Sequence, residues 1–165
     1  MSLLTTDGRS AVLVREAAAE VVGAAPNAVR LYADASATDG ALSSQRVTLG
    51  TGANGAAPHH HTGSAELFFV LDGALQVLAG DHVVTAEAGD FLVVPPLMAH
   101  AFGAAPGAEA DLLIVITPGI ERFEYFRLLD RVAKGQAGRQ EVLAAQDRFD
   151  NHFLDSPVWR QARGA

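Results

Sequence analysis

The sequence predicts an all-β sandwich or barrel followed by C-terminal α-helices. Up to residue 117, short apolar and β-branched runs recur at 8- to 12-residue spacing, each closed by Gly, Pro, Asn or Asp. Beyond Pro118-Gly119 the apolar residues fall at helical steps instead. Size fits a single core: a chain of 165 residues, with 49% hydrophobic and 19% charged side chains, buries about 70% of its unfolded surface without staples.

Residues 11–22 carry conflicting signals. Ala11-Val12-Leu13-Val14 favours strand and Glu16-Ala17-Ala18-Ala19-Glu20 favours helix, and the first half is read as a strand. Residues 28–33 and 42–49 alternate apolar and polar side chains between turn formers, as strands of a half-buried sheet do. Residues 51–58, rich in Gly and Ala and ending in Pro58, form a loop that runs directly into three consecutive histidines. Strands are then expected over 66–71, 74–79, 82–86, 91–94 and 111–117, with turns at Asp72-Gly73, Gly80-Asp81, Gly89-Asp90 and Pro95-Pro96. The apolar run from Leu112 to Ile116 is far shorter than the ~20 residues of a membrane helix, so it reads as a buried strand. Residues 121–133 place Phe123, Phe126, Leu129 and Val132 along one helix. Residues 139–149 form a second helix with Val142, Leu143 and Phe149 on its apolar side, before a tail holding Leu154, Pro157 and Trp159. The expected division is a barrel with its N-terminal strands over residues 1–117 and a helical extension over 118–165. That extension serves as a cover, as an oligomer contact or as a lid over a pocket.

Charge and cysteine content narrow the function. With 19 acidic against 12 basic residues, the net charge of −7 repels phosphate backbones, and no local basic patch offsets it, so no nucleic-acid partner is expected. Met1 to Gly8 has neither a basic segment nor an apolar one, which implies no export signal, a cytoplasmic protein and no membrane partner. Having no cysteine and six histidines, the chain can build a metal site only from nitrogen and oxygen ligands.

The residues that carry chemistry begin at Pro58. In an extended chain, residues i and i+2 share a face, so His59 and His61 converge while His60 points away. Glu66 opens the next strand, and His100 starts another after Pro95-Pro96. Alone, the triple histidine is compatible with a solvated loop and His100 with an ordinary buried histidine. Together, three imidazoles and one carboxylate suit a divalent transition metal: Fe, Mn, Ni, Co, Cu or Zn. His82 and His152 read as surface residues. Strand alternation puts Phe68 and Val70 on the face of Glu66, and Phe102 on that of His100, either as the wall of a small-molecule pocket or as barrel filling. Leu92 and Val94 are read in the same way.

The run His59-x-His61-x4-Glu66-x6-Gly73, followed by Gly89-x5-Pro95-x4-His100, closely resembles the two motifs of the cupin superfamily over residues 54–102. It departs from them at Ala53 and Leu97, where cupins often have glycine, and at Ala104, where asparagine is common. The resemblance implies a double-stranded β-helix of jelly-roll type, with turns at Gly73 and Gly89. It also implies a 3-His/1-Glu metal site made by His59, His61, Glu66 and His100. A softer likeness, through Glu66 to Gly73 and Thr117 to Phe123, is to small bacterial quercetin 2,3-dioxygenase-like cupins. It implies a dioxygenase for a small aromatic or enol substrate, in which Glu66 accepts the substrate's hydroxyl proton. Oxygen-independent isomerases, polyketide cyclases and decarboxylases share the ligand set, as do non-enzymatic binding modules. Cupins are often dimers, and the apolar Leu31, Phe69 and C-terminal helix faces would suit a homodimer.

Overall fold

The structure is a computed structural model, and it describes residues 10–164. The opening residues read for an export signal lie outside the described residues. Strands β1 (Glu20–Ala24), β2 (Asn27–Ala33), β3 (Ser43–Leu49), β4 (His59–His60) and β5 (Ala65–Ala79) are followed by β6 (His82–Glu87), β7 (Phe91–Val94), β8 (His100–Ala104) and β9 (Ala110–Thr117). Then come α1 (Phe123–Ala133), α2 (Arg139–Ala144), α3 (Gln146–Phe149), β10 (His152–Phe153) and α4 (Pro157–Ala162). Among the described residues no helix is long and apolar enough to cross a membrane.

All strand pairs are antiparallel, in the order β1-β2-β3-β9-β5-β8-β4-β10, with β6 and β7 also on β5. The first half of β5 pairs with β7 and β9, and the second half pairs with β6 and β8, so this one strand belongs to both faces of the jelly roll. Every second residue of β3 and β9 is buried. These residues meet Phe68, Val70, Leu75 and Val77 of β5 in a core between the two faces, which is the period-2 pattern of the sequence turned into packing.

Three expectations need correction. Residues 11–14 form no strand: the first strand is β1, which makes a hairpin onto β2 with Glu20 opposite Leu31, while Val12, Leu13 and Val14 line an open groove beside Tyr32 and Ala33. The strand forms where the Pro26 turn returns a partner at once, and propensity alone gives Ala11 to Val14 no ladder to join. Residues 66–71 and 74–79 are one continuous strand, and Asp72-Gly73 is a bend in it rather than a hairpin turn. The register shifts between Val70 and Asp72, Gly73 has φ +75°, and a Cβ there would lie 2.0 Å from the Glu109 carbonyl oxygen. Only glycine lets β5 bend so close to the chain entering β9. Finally, the helix expected over 139–149 divides at Ala145 into α2 and α3.

The chain beyond Pro118 does not stay apart from the sheet. Tyr125 and Leu128 of α1 pack with Val142 and Phe149, flanked by the half-buried Phe126, Leu129 and Val132. β10 then pairs with β4, Trp159 packs on Leu78 and Ala101, and the Arg163 guanidinium donates to Gly52 O and Ala104 O, each at 2.8 Å. Leu31, expected on a dimer face, is only 2% exposed and belongs to the core.

Candidate metal centre and its cavity

His59, His61, Glu66 and His100 come together as the sequence spacing requires. Their ligand atoms lie within 4.8 Å of one another, and all four side chains are buried. β4 supplies His59, which sits directly opposite His100 of β8, and β5 supplies Glu66. Glu66 Oε2 lies 3.0 Å from His61 Nε2, 2.6 Å from His100 Nε2 and 4.0 Å from His59 Nε2. His60 turns away and stacks on His152, with ring centroids 5.2 Å apart, and His82 is on the surface.

Each of the three imidazoles is oriented from behind. His59 Nδ1–H donates to Ala57 O at 2.7 Å, His100 Nδ1–H to Met98 O at 2.9 Å, and His61 Nδ1–H to Asp150 O at 2.5 Å. With Nδ1 donating to a carbonyl in each ring, every Nε2 is turned toward Glu66, where it donates when protonated and offers a lone pair to a cation when not. The backbone carbonyls fix the tautomer that a metal requires.

Burial disfavours ionisation of Glu66, yet the hydrogen bonds from His100 and His61 outweigh it and hold the carboxyl well below its usual range. Burial likewise opposes protonation of His100, but Glu66 prevails and raises it. His59, buried beside the other two imidazoles, is held well below the ordinary histidine value. Such a group fits a divalent metal: four nitrogen and oxygen donors, one negative charge, tautomers fixed and little water.

The cluster opens into a cavity of about 500 Å³ that His59 and Glu66 line together with Phe102, Val47, Ile114 and, from α1, Tyr125, Phe126 and Leu129. Helix α1 thus forms part of the cavity wall. Of the residues expected in a pocket wall, Phe102 lines the cavity, whereas Phe68 and Val70 lie in the core, 1% and 0% exposed. They share the face of Glu66 as alternation demands, but there they belong to the closed core with Leu112, Ile114 and Ile116. Val94 is in the same core, and Leu92 packs against it.

Sequence reasoning missed four polar residues of the site. Arg122, Asn151 and Gln45 are 4%, 2% and 2% exposed and line the cavity, each with a buried nitrogen or oxygen lacking a hydrogen-bond partner. Asp150 lies behind His61. Its carboxylate accepts from Thr62 N–H, Thr62 Oγ1–H and Gly63 N–H, which outweigh its partial burial and depress its pKa. No local motif marks these residues: Gln45 lies outside the histidine segment, Arg122 follows the last barrel strand, and Asp150 returns to Thr62 across 88 positions.

Fold and site together define a jelly-roll domain with a 3-His/1-Glu group at its open end. Residues 45–117 match the family model of the cupin domain, and this segment is a cupin domain. No curated protein sequence matches the chain. Among solved structures, it is similar to a predicted oxalate decarboxylase from Thermotoga maritima, at 18% identity and TM-score 0.57, over 64% of this chain and 97% of that one. It is similar as well to a Streptomyces PAC13 variant with uridine, at 15% identity and TM-score 0.55, over 68% and 86% of the two chains. Pac13 is described as a nucleoside dehydratase. KdgF from Halomonas sp. matches at 19% identity and TM-score 0.51, over 60% and 86%. At these identities the likeness is one of fold.

Proposed function

We propose that the protein is a metal-dependent dioxygenase of quercetinase-like type, acting on a small aromatic or enol substrate at His59, His61, Glu66 and His100. The observation that carries this reading is the convergence of three carbonyl-anchored imidazoles and one carboxylate beside a cavity walled by Phe102, Val47 and Ile114. A bound divalent metal would supply charge stabilisation for a substrate oxyanion. Glu66 accepts the substrate's hydroxyl proton, which its ionised state allows, and hands it back as product leaves. Phe102 and the α1 residues hold the substrate ring and keep water away from it.

A second reading shares the site. With no oxygen consumed, the same proton transfer by Glu66 serves an isomerase, cyclase, decarboxylase or dehydratase, and the named activities of the fold neighbours belong to this group. Elemental analysis of untagged protein from metal-supplemented medium, followed by oxygen uptake with flavonols and related enols, tests the proposal. Bound metal near one equivalent with uptake supports it; turnover that persists without oxygen favours the second reading; binding without turnover indicates a non-enzymatic module. Absence of metal overturns both enzymatic readings. Glu66→Gln should keep part of the metal and lose most turnover.

We further propose a cytoplasmic homodimer. Phe91 and Val93 of β7, 61% and 48% exposed, supply an apolar strand face for a second copy. Light scattering after size exclusion checks it.

A further inference from the structure

The cavity has a second polar end that the metal reading does not use. Arg122 is 4% exposed and makes no salt bridge to any described carboxylate. Among the described residues its Nη1 and Nη2 donate only long bonds, 3.4 Å each, to Phe149 O and Asn151 Oδ1, and its Nε finds no acceptor. The guanidinium carbon lies 4.2 Å from the centroid of Tyr125 and 5.3 Å from that of Phe126, so the side chain is held by two rings rather than by an anion. Because Asn151 Oδ1 is used by Arg122, its Nδ2 is the free end, and it too is buried without a partner. A buried guanidinium with no ion-pair partner in contact, next to an unpaired amide donor, is disfavoured unless something completes its hydrogen bonds.

We propose that Arg122 and Asn151 form a carboxylate-binding subsite, and that the ligand of the cavity is a small organic acid spanning from this subsite to the His59/His61/Glu66/His100 group. This rests on the metal-site reading of the same cavity. The donors available, a guanidinium with a free Nε and one amide NH2, match the two oxygens of a planar carboxylate, which Arg takes in forked fashion. Phosphate, with more oxygens in a tetrahedral arrangement, would leave acceptors unpaired once these donors are used. Charge points the same way. A divalent cation bound beside Arg122 would add positive charge to the buried cavity, which an anionic ligand offsets and a neutral one does not. The orphan Gln45 oxygen offers an acceptor for a further hydroxyl on the ligand.

The test is calorimetric titration of metal-loaded protein with benzoate, salicylate and phenylpyruvate, each beside its methyl ester, and with phenyl phosphate. The proposal expects at least one acid to bind tenfold or more tighter than its ester and than phenyl phosphate. Arg122→Met should weaken that acid by roughly 30-fold or more. Asn151→Asp, which sets a carboxylate beside Arg122, should raise the melting temperature while abolishing acid binding, and it keeps the proposal testable if the Arg122 variant fails to fold. Metal content is read separately and should not change in Asn151→Asp. A protein that binds no metal but still prefers acid to ester through Arg122 sinks the metal reading and leaves the subsite standing. Acids no better than their esters, tighter binding of phenyl phosphate, or unchanged acid binding in either variant overturns the subsite.

Discussion

Asp150→Ala tests whether the returning C-terminal chain positions a metal ligand. Asp150 lies between α3 and β10 at φ +45°, and its backbone oxygen receives His61 Nδ1–H at 2.5 Å. Its carboxylate, about one-fifth exposed at 21%, accepts from Thr62 N–H at 2.9 Å, Thr62 Oγ1–H at 2.7 Å, Gly63 N–H at 3.2 Å and His152 Nε2–H at 3.1 Å. Hydrogen bonds to a charged acceptor are worth about 1.5–3 kcal/mol when buried, but the Thr62 and Gly63 donors lie at the surface and recover water on truncation, so about 0.5 kcal/mol each is appropriate. Alanine tolerates the left-handed conformation less well than Asp, which adds about 0.5–1 kcal/mol. The expected loss is about 2–2.5 kcal/mol, a fall in Tm of roughly 4–10 °C for a domain of this size.

The functional readout is metal affinity. With the Thr62-Gly63 turn released, His61 loses its fixed approach, and Co2+ titration followed by visible absorption should show about 10-fold weaker binding or more. Asp150→Asn, which keeps the backbone preference and one acceptor oxygen, should fall between. Because the folded carboxyl lies below its ordinary 3.8, its contribution is fully present above about pH 4 and is lost as pH falls through the depressed folded value. Wild-type Tm and metal affinity in Asp150→Ala would refute the positioning role.

Gly73→Ala should cost at least about 3 kcal/mol in urea unfolding, since its Cβ would sit 2.0 Å from Glu109 O at φ +75°; Gly89→Ala, at φ +93° with nothing within 4 Å, should cost only about 1 kcal/mol. Equal costs would show that the β5 bend is not sterically set. Burial pushes the Asp34 carboxyl up to about 6 despite the Arg122 and Phe123 N–H groups that it accepts. A raised carboxyl pKa means that the folded state resists ionisation, so stability from this group declines as pH rises from 3.8 to about 6, and Asp34→Asn should flatten Tm over that range. Dialysis of metal-loaded protein against a chelator should lower Tm, since free metal at 100 times its Kd contributes about 2.7 kcal/mol; an unchanged Tm would mean that no metal binds the folded state.

Period-2 alternation was enough to place most strands, and the His59/His61 spacing with Glu66 and His100 was enough to assemble the ligand group, because those signals act over neighbouring residues. What the sequence did not disclose depends on chain return. Asp72-Gly73 looks like any hairpin turn until Glu109 is seen 2.0 Å from where a Cβ would be. Val12 to Val14 has strand propensity but no partner, whereas Val21 and Val22 meet β2 through a short turn. Arg122 reads as a polar residue at a helix start, and Asn151 as a loop residue; only the β10–β4 pairing, with Phe153 opposite His59, carries Asn151 to the cavity. The resemblance to cupin motifs covers 54–102 and so is silent about Val12 to Val14, Arg122 and Asn151.

Leu97 shows how the motif's departures are absorbed. It stands where cupins often have glycine, and it takes φ +68°, the left-handed conformation that glycine adopts without strain. Its N–H nevertheless donates to His61 O at 2.8 Å, tying the turn before His100 to the segment that carries His59 and His61. The strain that a non-glycine residue bears there, about 1–2 kcal/mol, is opposed by the extra entropy glycine would have in the unfolded chain and by the third of the Leu97 side chain that is covered. These terms nearly cancel, so Leu97→Gly should change stability by less than about 1 kcal/mol and leave metal content unaltered. A larger loss of either would mean that the leucine side chain, 67% exposed, has a contact partner outside this chain.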